Sequence, residues 1–175
     1  MKKSKSCENY PLRTVLLSNL FSITIYLVGL YLMLNLGIVF AALFVVYLFL
    51  MEFRLIAKSC RYCYYYGKLC AFGKGKFCAL FFQKGNPEEF VKTEITMKDI
   101  IPDFLTFIFP LIGGIIILLS NFSWLILVLL AILVILGFGG NAVVRGSLAC
   151  KYCKQRQIGC PAERLFREKK SEEKV

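Results

Sequence analysis

The chain contains no histidine. That absence removes the histidine-based hydrolytic zinc site and every serine or cysteine nucleophile that relies on an imidazole base. Any soft metal ligand must then be cysteine or methionine. Charge is missing over long stretches as well, because all 22 Lys and Arg and all 11 acids fall within residues 1–14, 52–103 and 145–175. No ionisable pair is expected at the middle of an apolar run, which weighs against an ion-coupled transporter. No phosphate-cradling glycine loop follows a strand pattern, so nothing points to nucleotide chemistry. Catalysis by this chain alone is therefore not expected, unless a redox-active metal supplies it.

What remains between the charges is apolar. Of 175 residues 58% are hydrophobic and the mean hydropathy is +0.65. Runs of about 20 apolar residues match the thickness of a bilayer core. Four spans are expected: about Val15 to Leu34, Leu36 to about Ala57, about Ile101 to Leu119, and Phe122 to Val144. The second ends near Glu52 and Arg54, whose long side chains can reach headgroups. The first could be read as a signal peptide after Met-Lys-Lys-Ser-Lys, but it is long for that role and has no small-residue cleavage site before Gly37.

Four spans put the three charged segments on one side. The other side receives two neutral turns, around Asn35 to Gly37 and Ser120 to Ser123. By the positive-inside rule the charged side, with both termini, is cytoplasmic, and the expected location is the cell membrane.

The same partition gathers the cysteines. Cys7, Cys60, Cys63, Cys70, Cys78, Cys150, Cys153 and Cys160 all lie in the charged segments. In a reducing compartment this favours thiolate or metal chemistry over structural disulfides. Six of them form a repeat: Cys60-Arg61-Tyr62-Cys63 with Cys70, and Cys150-Lys151-Tyr152-Cys153 with Cys160, share the spacing Cys-x-Tyr-Cys-x6-Cys. Superposing Cys60 on Cys150 brings Pro11 within one residue of Pro102, and Arg54 within one residue of Arg145.

The expected fold is thus all-α and integral to the membrane, two tandem hairpins related by a pseudo-twofold axis along the membrane normal. Residues 1–80 form the first repeat, with a hairpin at about 15–57 and its cysteine motif at 60–70. Residues 99–165 form the second, with a hairpin at about 101–144 and its motif at 150–160. Residues 81–98 are an interfacial linker and 166–175 a charged, disordered tail. Within the linker, Asn86-Pro87-Glu88-Glu89 reads as a helix start running to about Thr93, and Thr96 with Asp99 as a capping box. The aromatic run Phe77 to Phe82 is too short to cross and is expected to dip into the interface.

Paired cysteines bring two sulfurs to one cation, and soft metal sites complete a set of four. The candidate ligands are Cys60, Cys63, Cys70, Cys78, Cys150, Cys153 and Cys160. They allow one shared site from Cys60, Cys63, Cys150 and Cys153, separate centres completed by Cys78 in the first repeat and by Cys7 or a non-protein ligand in the second, or a single centre in the first repeat with a vestigial motif in the second. Structural zinc is the simpler assignment. An iron–sulfur cluster passing electrons at the membrane face is the alternative, although the spacing is not that of a ferredoxin. Free thiols that merely pack, inherited by duplication, are the plain alternative to both, and juxtamembrane acylation would not explain the repeated spacing.

From Arg54 to Lys84 seven cations stand with no acid: Arg54, Lys58, Arg61, Lys68, Lys74, Lys76 and Lys84. They are expected mostly at anionic headgroups and secondarily to favour thiolates, lowering thiol pKa values. The partners expected are therefore the lipid bilayer, with a homodimer or a cytoplasmic protein as further options, and no nucleic acid. Tyr62, Tyr152 and Tyr64 to Tyr66 read as interfacial aromatic residues.

Overall fold

In the computed structural model, residues 7–92 and 96–161 are described, apart from the side chains of Met97, Asn141 and Arg145. The tail expected over 166–175 lies outside the described residues, as does the Arg145 side chain that the repeat alignment pairs with Arg54. Among the described residues the regular structure is helical throughout, and three helices are long and apolar enough to cross a membrane.

Helix α1, Leu12–Leu36, follows Pro11, which stands extended at φ −64° and ψ 144°. It ends at Gly37, whose φ of 148° is open to glycine and strained for other residues. That single residue turns the chain into α2, Ile38–Leu55, which tightens no further but widens into a π-helical turn at Ile56–Cys60. The neutral turn expected at Asn35 to Gly37 is thus a one-residue hinge.

Helix α3, Lys74–Phe81, lies against the end of α2, and α4, Pro87–Lys92, begins at the predicted cap. The Asn86 side-chain oxygen accepts the Glu88 N–H at 3.0 Å. Helix α5, Met97–Ser120, starts with the expected capping box, Asp99 accepting from the Thr96 N–H at 3.2 Å and from its hydroxyl at 2.9 Å. Pro102 and Pro110 sit inside α5 without ending it.

The fourth apolar run differs from expectation. Only α6, Trp124–Val134, is regular α-helix; the chain then passes through a π segment at Ile135–Gly140, the short α7 at Asn141–Val143 and a second π segment at Val144–Ala149. The change of register falls on Gly137, Gly139 and Gly140, where missing side chains lower the cost of irregular hydrogen bonding. A 3₁₀ turn at Cys150–Tyr152 and α8, Lys154–Gly159, complete the described chain.

Small residues set the helix contacts. A Cβ on Gly29 of α1 would stand 2.9 Å from Pro110 of α5 and 3.0 Å from the Phe44 ring of α2, so three helices meet there. Gly113 and Gly114 of α5 admit Met33 and Leu32 of α1 and Leu130 of α6 in the same way. Leu32, Ile126, Leu130 and Leu133 form the buried core of that end. Outside it the helices are bare: only 11% of the apolar window of α2 is buried by the chain itself. Such a surface needs lipid or another apolar cover.

Candidate functional site

At the charged end of the helices, three stretches far apart in sequence form a cap. The N-terminal stretch enters first: the Cys7 N–H donates to the Tyr152 carbonyl at 3.0 Å, placing Cys7 beside Cys153 in a single parallel bridge. Three residues on, the Tyr10 N–H donates to the Leu69 carbonyl at 3.0 Å, and the Leu69 N–H to the Asn9 side chain at 3.2 Å.

The two cysteine motifs touch directly. The Tyr64 N–H donates to the Gln155 side-chain oxygen at 2.7 Å, and the Gln155 amide nitrogen donates to the Gly159 carbonyl at 2.9 Å. Gln155 is buried, so both bonds are made away from water. The Tyr65 hydroxyl donates to the Cys7 carbonyl at 2.5 Å and accepts the Lys154 N–H at 3.0 Å. Tyr10, whose ring lies 5.6 Å from that of Tyr65, donates its hydroxyl to the Ala149 carbonyl at 2.5 Å.

The first motif reaches this geometry through nested turns. The Tyr66 N–H bonds the Cys63 carbonyl at 3.0 Å, the Lys68 N–H the Tyr65 carbonyl at 3.0 Å, and the Gly73 N–H the Cys70 carbonyl at 2.9 Å. Gly75 then passes so close that a Cβ would lie 2.1 Å from the Tyr65 carbonyl oxygen. The second motif uses a 3₁₀ turn and a helix instead. Equal spacing therefore does not produce equal local structure, and the described residues do not establish the pseudo-twofold relation.

The cysteines separate into an inner and an outer set. Cys7, Cys63, Cys70 and Cys153 pack against one small core of Tyr10, Val15, Tyr65, Ala71 and Ala149. Cys160 is also near, since charge on Cys153, Cys70 or Cys160 would each be felt at the Cys63 thiol. Cys150 is exposed. Cys78 is buried but turned toward the end of α2, its Sγ 3.7 Å from the Ile56 carbonyl. Cys60 closes the π turn within electrostatic reach of Cys70, Cys63 and Cys78, and burial pushes its thiol up to about 12. Among the described residues no group of three or more Cys, Asp or Glu stands ready to hold a metal ion, and no disulfide joins the cysteines.

The expected lowering of thiol pKa values by neighbouring cations is reversed. Burial pushes Cys63 up to about 12, against the help of a backbone hydrogen bond, and raises Cys153 and Cys78 above their ordinary value. Desolvation is the largest cause at each of these thiols and outweighs the basic residues, several of which are engaged elsewhere. Lys68 and Lys154 stand 4.2 and 5.0 Å from the Tyr64 ring centre, and the hydrogen bond from Lys68 holds the Tyr64 phenol below its usual range. Lys154 also pairs with Glu8 at 2.7 Å. Lys74 goes to Glu52 at 2.5 Å, and Arg54 to Asp99 at 3.3 Å. Glu52, expected to reach headgroups, is instead held between Lys74 and the Tyr26 hydroxyl at 2.7 Å. At neutral pH the Cys63 and Cys153 thiols are protonated, poor nucleophiles that must release protons to bind a cation.

Tyr65, which the sequence reads as an interfacial aromatic residue, and Tyr10, which it does not single out, carry the joints of the cap at 3% and 4% exposure. Nothing in the run Tyr64-Tyr65-Tyr66 distinguishes the middle ring, whose partners lie in residues 7 and 154. Gln155 was equally unmarked. A single apolar-flanked signal exists for Tyr10, which directly precedes the Pro11 that opens α1.

Together the fold and cap define an all-helical, membrane-like protein with a thiol-lined cap. The chain matches no protein-family model, no curated protein and no solved structure.

Proposed function

We propose that the chain is a four-span membrane protein whose cap binds one metal ion through thiolates, with zinc as the structural ion. The first hairpin is α1 with α2, the second α5 with the helical run from Trp124 onward, and each delivers its cysteine motif to the same end. The positive-inside pattern supports placing that end in the cytoplasm, with the cell membrane as the proposed location. The pseudo-twofold axis then relates positions of the two motifs, not their backbone forms.

The observation that carries the metal reading is the company kept by Cys63. Its thiol lies within electrostatic reach of Cys70 from its own motif and of Cys153 and Cys160 from the other. These are the second and third cysteines of each copy, four soft ligands in all, the number that a structural zinc site takes. Change of χ1 among staggered wells can turn thiols that now face the apolar core toward a common point. Each protonated thiol would lose its proton to water and bind the entering ion as thiolate.

Such a site would clamp together two motifs that are otherwise joined by a few hydrogen bonds. Cys60, itself within electrostatic reach of Cys63 and Cys70, borders that set, and Cys78 and Cys150 fall outside it. Anaerobic purification followed by metal analysis and an absorption spectrum tests the assignment. Colourless protein with stoichiometric zinc supports it. Broad visible absorption with iron and sulfide replaces it by an electron-transfer cluster, and metal-free protein leaves only packed thiols.

A further inference from the structure

We infer that α3 is an in-plane wedge that inserts into the leaflet at the charged end and seats anionic phospholipid headgroups on Lys76 and Lys84. This rests on the membrane reading proposed above. Eight residues of helix rise about 12 Å, too little to cross a bilayer core.

One face of α3 is fixed to the protein. Gly75 and Cys78 are buried, Cys78 reaches the Ile56 carbonyl at 3.7 Å, and Lys74 pairs with Glu52 at 2.5 Å. The opposite face is apolar and bare: Phe77 is 51% exposed, Leu80 78% and Phe81 68%. The Phe77 and Phe81 rings pack on each other at 5.0 Å, forming one aromatic surface.

That surface continues the outward face of α2. The Phe82 ring lies 5.5 Å from that of Phe53, and Phe53 is itself exposed beside Phe49 and Leu50 on α2. If lipid covers α2, the same lipid meets α3. A protein partner would have to cover both elements at once. Charge points the same way, since Lys58, Lys76 and Lys84 are exposed around the aromatic group and no acid occurs from Phe53 to Pro87. Amphipathic helices with cations above an aromatic face lie in the headgroup layer.

The test uses the full chain with Trp124→Phe, reconstituted in bilayer discs of phosphatidylcholine and phosphatidylglycerol, with one tryptophan returned at a chosen position. Phe77→Trp should be quenched by lipids brominated on their acyl chains, and so should Leu43→Trp on the exposed face of α2. Quenching at Leu43→Trp alone overturns the wedge and leaves the membrane reading standing; quenching at neither overturns both. Cross-linking of Phe77→Cys between two copies, without quenching at Phe77→Trp, assigns the face to a dimer and overturns the proposal. Combined Lys76→Gln and Lys84→Gln should reduce the phosphatidylglycerol retained on detergent extraction by about fivefold or more. Unchanged retention overturns the headgroup seat.

Discussion

The backbone N–H of Lys154 donates to the phenol oxygen of Tyr65 at 3.0 Å, across 89 residues of sequence. The same oxygen donates onward to the Cys7 carbonyl at 2.5 Å. One side chain therefore joins the N-terminal stretch and both cysteine motifs. Cooperative hydrogen bonds of this kind in a dry setting are costly to leave half made.

Tyr65→Phe removes that oxygen and strands two polar backbone groups. The expected loss is about 1–3 kcal/mol of cap stability for each group left unpaired. Hydrogen exchange at the Lys154 amide should accelerate markedly. Tyr64→Phe, whose hydroxyl meets Lys68 near solvent, should leave the same amide protected.

Gly75→Ala should open the cap by a different route. Its Cβ would meet the Tyr65 carbonyl oxygen at 2.1 Å and that of Lys68 at 2.6 Å, both of them backbone atoms that cannot swing aside. A cost of about 3 kcal/mol or more follows from the forced backbone shift. Limited proteolysis should show cleavage between Cys63 and Gly73 in the variant and protection in the parent.

Much of the helical frame was legible in advance. The two neutral turns, the Asn86 cap and the Thr96–Asp99 box rest on local chemistry, and local chemistry is what a sequence displays. The fourth run was less legible, because its apolar composition measures partition into lipid and not hydrogen-bond register, so the π segments after Val134 left no trace in hydropathy. The cap was legible only in part. Repeated spacing pointed to two motifs at one end, whereas the different backbone forms of Cys63–Cys70 and Cys153–Cys160 depend on what each packs against. The thiol pKa direction is hidden from the sequence for a related reason: counting nearby lysines says nothing of burial, and at Cys63 burial dominates.

The raised Cys63 pKa has two consequences of opposite sign for pH. A thiol whose folded pKa stands above its unfolded value favours the fold while protonated, so its contribution is complete below about 9 and is lost as pH rises towards about 12. The metal-free cap should loosen over that window, read by near-ultraviolet circular dichroism. Zinc affinity should rise with pH below it, because fewer protons have to be displaced.

Thiol labelling should follow the same order. Exposed Cys150 should react with a maleimide first and buried Cys78 last, by at least about tenfold at neutral pH, since only an accessible thiolate attacks. Bound zinc should protect Cys63, Cys70, Cys153 and Cys160 while leaving Cys150 reactive. Mass spectrometry of the labelled peptides reads each site separately.

Glu52 and Lys74 should be coupled in a double-mutant cycle. Their 2.5 Å pair joins α2 to α3 with both side chains about a quarter exposed, at 30% and 23%, which discounts the energy to about 1 kcal/mol. Tyr26→Phe should weaken the same pair, because the Tyr26 hydroxyl holds the carboxylate from the other side. Thermal unfolding in bilayer discs measures both effects.

The shared thiolate centre is tested most directly by zinc-edge X-ray absorption on the full-length protein, purified without oxygen and loaded with one equivalent of zinc. The account predicts a first shell of four sulfurs at about 2.3 Å, reduced in both Cys63→Ser and Cys153→Ser. A shell of nitrogen or oxygen ligands, or one unchanged when cysteines from both motifs are replaced, would contradict it.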